Sequence, residues 1–118
     1  MATHNETGKK GESLAADWLE KTGFALLHRN WRHSHYEVDI IATKNNMLHF
    51  IEVKTRRSNR FGYPEESVSD KKIENLMQAA DEFMFRYPEW KKIQYDVLSI
   101  TLQNNNEPVF FLIEDVYL

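Results

Sequence analysis

The chain has 118 residues, 42% of them hydrophobic, and a formal net charge of −3 with histidine neutral. That length suits one packed domain and is short for two. The absence of cysteine excludes disulfides and thiolate metal sites, no apolar run is long enough for a membrane-spanning helix, and the slight excess of acid argues against a general nucleic-acid binder.

Residues 1–6 are expected to be loose. Residues 1–10 are polar and contain no apolar signal region, so a cytoplasmic location is the expectation. A helix is predicted from Thr7 to Thr22, stopped by Gly23. Its apolar face holds Leu14, Ala15, Trp18 and Leu19, and Glu12 lies on the border of that face, on the ridge of Ala15 and Leu19. Three strands follow, at Phe24–Arg32, Tyr36–Thr43 and Met47–Thr55, and their short connections make neighbours antiparallel. Residues 56–67 read as a loop. A second helix spans Val68–Tyr87, with Ile73, Leu76, Met77, Ala80, Phe83, Met84 and Tyr87 in one stripe and Pro88 beyond it. Strands at Ile93–Leu102 and Val109–Tyr117 complete the order αβββαββ. The helix between the third and fourth strands favours a parallel pair there. The expected fold is a single α/β domain over residues 1–118, with a mixed central sheet flanked by two helices.

The second and third strands carry the chemistry. Asn45-Asn46 suits a two-residue turn, because asparagine tolerates positive φ. That turn sets Asp39 opposite Glu52, Ile41 opposite Phe50, and Glu37 opposite Lys54. Directly opposed Cβ atoms lie about 4.5–5.5 Å apart, where two carboxylates repel. A divalent cation between them reverses the sign. Strand alternation places Glu37, Asp39 and Ile41 on one face, and Leu48, Phe50, Glu52 and Lys54 on one face of the next strand. The apolar members make that face at least half buried, and burying carboxylates without partners is costly. Asp39 and Glu52 are thus candidate ligands of a hard cation such as Mg²⁺. Lys54 is a candidate to orient water or neutralise charge on a transferring phosphate, and Glu12 a candidate further carboxylate. The competing account is a solvated strand face with a Glu37–Lys54 ion pair.

A basic segment begins where the third strand ends. Arg56, Arg57 and Arg60 can bind phosphates, and Phe61 or Tyr63 can stack on an unpaired base. Lys72, at the edge of the second helix's stripe, can reach the same site. A solvated loop explains the segment equally well, and for Lys72 a surface lysine is the more frequent reading. Residues 1–63 carry ten Lys or Arg against seven Asp or Glu, and residues 64–118 carry five against eleven. An uneven field of that kind can serve a polyanion. His33 and His35 lack a third ligand and read as surface residues, and His28 and His49 suggest nothing.

At these residues the chain resembles the PD-(D/E)XK, or restriction-endonuclease-like, nuclease superfamily, and within it the YraN-like family related to archaeal Holliday junction resolvases. The resemblance rests on Gly8-x-x-Gly11-Glu12-x-x-Ala15, Arg29-Asn30-Trp31-Arg32, Glu37-Val38-Asp39-Ile40-Ile41-Ala42, Phe50-Ile51-Glu52-Val53-Lys54-Thr55-Arg56, Phe61-Gly62-x-Pro64, Lys72 and Asp96-Val97. It implies Mg²⁺- or Mn²⁺-dependent phosphodiester hydrolysis, with Asp39 and Glu52 holding the metal, Lys54 as the active-site lysine and Glu12 as the helix carboxylate. Two positions depart from the pattern. Tyr36 stands where a glycine is usual, on the face expected to lie opposite Asp39, and Gln94 stands where an arginine is usual.

The function these residues suggest is a metal-dependent endonuclease acting on DNA, including branched DNA. The alternatives are a non-catalytic nucleic-acid-binding module and an interaction subunit. The latter would use Val109-Phe110-Phe111-Leu112-Ile113, including as a homodimer edge, although that segment reads more simply as a core strand.

Overall fold

The structure is a computed structural model that describes residues 4–57, 70–103 and 106–116. In chain order it contains α1 (His4–Lys21), β1 (Ala25–His33), β2 (Tyr36–Lys44), β3 (Met47–Arg56), α2 (Asp70–Arg86), β4 (Ile93–Thr101) and β5 (Val109–Ile113). Among the described residues the predicted order is the observed one; of the expected loop, residues 58–67 lie outside the described residues. Of the segment expected to be loose, residues 4–6 form the first turn of α1 and residues 1–3 lie outside the described residues.

The five strands form one sheet in the order β1-β2-β3-β4-β5. Only β3 and β4 run parallel, so the sheet is mixed. The Asn45-Asn46 turn has φ of 55° and 64°, the double left-handed geometry of a type I′ hairpin. It sets the register Lys44–Met47 through Ile40–Ile51.

One helix covers each face. Ala15 and Leu19 of α1 pack on Ile40, Ala42, Ile51, Leu98 and Ile100. Leu76, Ala79, Ala80 and Phe83 of α2 pack on Val38, Ile41, Leu48 and Phe50. Burial of these two apolar stripes is the main term holding the layers together, at about 25 cal/mol per Å² of apolar surface. The end of α1 is fixed locally. Gly23, at φ 103°, lets the amides of Gly23 and Phe24 reach back to the carbonyls of Glu20 and Leu19. Lys44 Nζ caps the Thr22 carbonyl at 2.8 Å.

Near its N-terminal end α1 touches the sheet almost without spacing. A Cβ at buried Gly11 would collide with the Thr55 side chain of β3. This close approach sets where the next residue, Glu12, can reach.

β5 is an edge strand rather than a core strand. Phe110 and Leu112 pack toward α1, with Phe110 stacked on Trp18 at 5.4 Å, whereas Val109 and Phe111 are exposed. A strand at a sheet edge can bury one face and leave the other in water.

Candidate functional site

The β2–β3 ladder ends at Ile40–Ile51, one step before Asp39 and Glu52 would meet. Beyond it the Asp39 carboxylate replaces a strand partner: its Oδ2 accepts the Val53 amide hydrogen at 2.8 Å. The expected cross-strand pairs Asp39–Glu52 and Glu37–Lys54 are therefore not ladder pairs. Glu37 lies instead opposite Arg32 on β1, with a 3.1 Å ion pair between them.

The alternation of β2 also slips here. Val38 and Ile41, three residues apart, both pack toward α2, while Ile40 and Ala42 face α1. On β1, His28 and Trp31 show the same spacing, both meeting the ring of Phe83. Between them Asn30 has φ 54°, a left-handed conformation that asparagine accepts at low cost. Asn30 Nδ2 is 3.4 Å from Glu12 Oε2. Tyr36, expected on the face opposite Asp39, packs among the α2-side residues, the side on which the site opens.

Three carboxylates converge at this break. One oxygen each from Glu12, Glu37 and Asp39 lies within 4.8 Å of the others. Beside them is a cleft of about 310 Å³ lined by His35, Glu37, Asp39, Glu52, Lys72, Asn75 and Leu76. Glu52 stands in that wall with its Oε1 3.9 Å from Lys72 Nζ. In the sequence Glu37 enters only through the competing account of an ion pair with Lys54; its position two residues before Asp39 is the signal that it could join the site. Asn75 gave no signal, Asn30 entered only as part of the Arg29–Arg32 motif, and His35, which reads as a surface residue in the sequence, lines the cleft; tertiary packing brings all three here.

The electrostatics follow first from burial and then from crowding. Asp39 is pushed up from 3.8 to about 7, chiefly by burial; the Val53 N–H opposes the rise, and Glu37 and Glu52 add to it. Glu52 is also raised, first by burial, with Lys72 acting against the rise and Glu37 for it. A group of carboxylates held close in a partly buried place suits a hard divalent cation, which prefers oxygen donors and retains water.

The remaining predicted residues are distributed as follows. Lys54, partly buried, comes next after Glu52 on the same face of β3 and outside the cleft lining. Lys72 is in the cleft. Arg56 is partly buried at the end of β3 and Arg57 is exposed. Arg60, Phe61 and Tyr63 lie outside the described residues.

Residues 11–100 match the uncharacterised protein family UPF0102. The chain belongs to this family. It is 40% identical over 117 residues to a UPF0102 protein of Bacteroides thetaiotaomicron, covering 99% of this chain and 97% of the relative. A UPF0102 protein of Syntrophomonas wolfei is 40% identical over 111 residues, covering 93% and 96%. Among solved structures, the Archaeoglobus fulgidus Hjc, a Holliday junction resolvase, matches with a TM-score of 0.48 and 19% identity, over 87% of this chain and 74% of that one. No helix among the described residues of this UPF0102 chain is long and apolar enough to cross a membrane.

Proposed function

We propose that this chain is a metal-dependent endonuclease that hydrolyses phosphodiesters in DNA, with branched DNA among its substrates. The observation that carries this is the convergence of Glu12, Glu37 and Asp39 within 4.8 Å, beside a cleft whose wall also holds Glu52 and Lys72. These carboxylates would hold Mg²⁺ or Mn²⁺, which when bound polarises a phosphate oxygen and acidifies a coordinated water. Lys72 neutralises Glu52 in the absence of substrate. A phosphate entering the cleft draws the Lys72 ammonium to itself and frees Glu52 to join Asp39. Lys54 supplies positive charge further along the same face. Arg56, Arg57 and Arg60 extend the basic contact to neighbouring phosphates.

Calorimetric titration with Mn²⁺, wild type against Glu52→Ala and Asp39→Asn, tests the site before any substrate is chosen. Cleavage of linear, flapped and four-way DNA then tests the activity. Metal binding with cleavage that both substitutions abolish is the expected result. No turnover on any of the three substrates in Mg²⁺ or Mn²⁺ would reject the enzyme.

A second reading is a nucleic-acid-binding module without turnover. The Glu52–Lys72 pair favours it, because it keeps Glu52 out of the carboxylate cluster. Salt-sensitive binding that Asp39→Asn leaves unchanged, without cleavage, distinguishes this case.

A further inference from the structure

On the α1 side of the sheet, away from the cleft, a buried imidazole faces a second cavity. His49 of β3 is 5% exposed, and its Nδ1 is 2.6 Å from Asp96 Oδ2 of β4. Asp96 is fully buried and its other oxygen is also occupied. Oδ1 accepts from Gln94 Nε2 at 2.8 Å and from the Asp115 amide at 2.9 Å. A carboxylate that accepts from all sides takes the hydrogen of His49 Nδ1, so that in the neutral imidazole the lone pair lies on Nε2. Among the described residues Nε2 has no hydrogen-bond partner. The cavity that His49 borders has a volume of about 290 Å³, and Gln94 and Glu114 are in its wall.

We propose that this cavity is a site for a divalent transition-metal ion such as Zn²⁺, bound by His49 Nε2 and the Glu114 carboxylate, with water completing the shell. Three features converge on that chemistry. An imidazole that donates its far N–H to a carboxylate has the arrangement metal-binding histidines use, which fixes the tautomer and raises basicity. Imidazole selects Zn²⁺, Co²⁺ or Ni²⁺ over Mg²⁺. Asp96 also holds the wall itself, because it anchors the Gln94 side chain and the backbone directly after Glu114. Among the described residues Lys44 is the cation in the wall, and it is turned aside: its Nζ bonds the Thr22 carbonyl and lies 4.9 Å over the Phe24 ring. This site is separate from the carboxylate cleft, which opens on the α2 side of the sheet and is lined by the carboxylates of Glu37, Asp39 and Glu52 with His35 beside them.

The test is a Zn²⁺ titration of the full chain, followed by ¹⁵N resonances of the histidine rings. One equivalent should move Nε2 of His49 while leaving His28, His33 and His35 in place, and Mg²⁺ should move none of them. Glu114→Gln, at an exposed position, should weaken binding severalfold, and Asp96→Asn by about 10- to 100-fold. Glu12→Gln should leave the affinity unchanged. Because Asp96→Asn can cost the fold, the wild-type ring spectrum decides alone. A His49 Nε2 that does not move at saturating Zn²⁺, or movement confined to His33 and His35, overturns the proposal.

Discussion

The Asp39 carboxylate stands 2.8 Å from the amide of Val53, a side chain doing the work of a neighbouring strand. That contact ends the β2–β3 ladder, and it fixes one carboxylate of the site by a backbone hydrogen bond rather than by rotamer preference. Asp39→Asn keeps an oxygen acceptor for Val53 and removes the charge. It should abolish Mn²⁺ binding at the cleft while raising the melting temperature of the metal-free protein at pH 8. Asp39→Ala removes the acceptor as well and should cost about 1–3 kcal/mol. Calorimetry and thermal melts of the two variants separate the roles; equal melting temperatures would contradict them.

The pH dependence has a definite sign. The folded-state value of about 7 for Asp39 lies above its ordinary 3.8, so the folded chain binds this proton more tightly than the unfolded one. The metal-free protein should therefore gain stability as pH falls from about 7 to about 4, and lose it as pH rises through 7. The effect is on the order of a few kcal/mol. Denaturant midpoints across this range, compared with Asp39→Asn, measure it. Mn²⁺ binding near pH 6 should release protons, which shows as a buffer-dependent enthalpy.

Gly11 sets the reach of Glu12. A methyl group there meets Thr55, so Gly11→Ala must lift α1 from β3. Overpacking of this kind costs about 1–3 kcal/mol. The same shift moves Glu12 away from Asp39 and Glu37, so Mn²⁺ affinity should fall along with stability. An affinity unchanged in the folded variant would show that Glu12 does not help hold the metal.

Lys72 competes with a cation for Glu52 and, in the proposed mechanism, contacts phosphate. Lys72→Met should tighten Mn²⁺ binding and weaken DNA binding. The slope of log affinity against log salt should shrink by about 1, the loss of one phosphate contact. Filter binding at several salt concentrations reads this directly.

Much of the fold was legible because its signals are local. The Asn45-Asn46 turn fixes its hairpin register through backbone φ alone, and the stripe of α2 declares its buried face by period. Gly23 marks the end of α1 for the same reason, since it alone accepts the angle required. The site was only partly legible. Alternation counts residues two at a time, and the strands break that count at Asn30 and Asp39, where both slip by one position. As a result the partner of Glu37 became Arg32 instead of Lys54, and Tyr36 moved to the side where the cleft opens. The chain alone determined that Asp39, Glu52 and Lys54 share neighbouring strands and that Glu12 borders a packed helix face. Only the tertiary structure decided that Glu37 joins Glu12 and Asp39, that Lys72 meets Glu52, and that His49 is buried on Asp96. Each of these contacts joins residues from different elements, and their distances depend on how the layers pack rather than on any spacing along the chain.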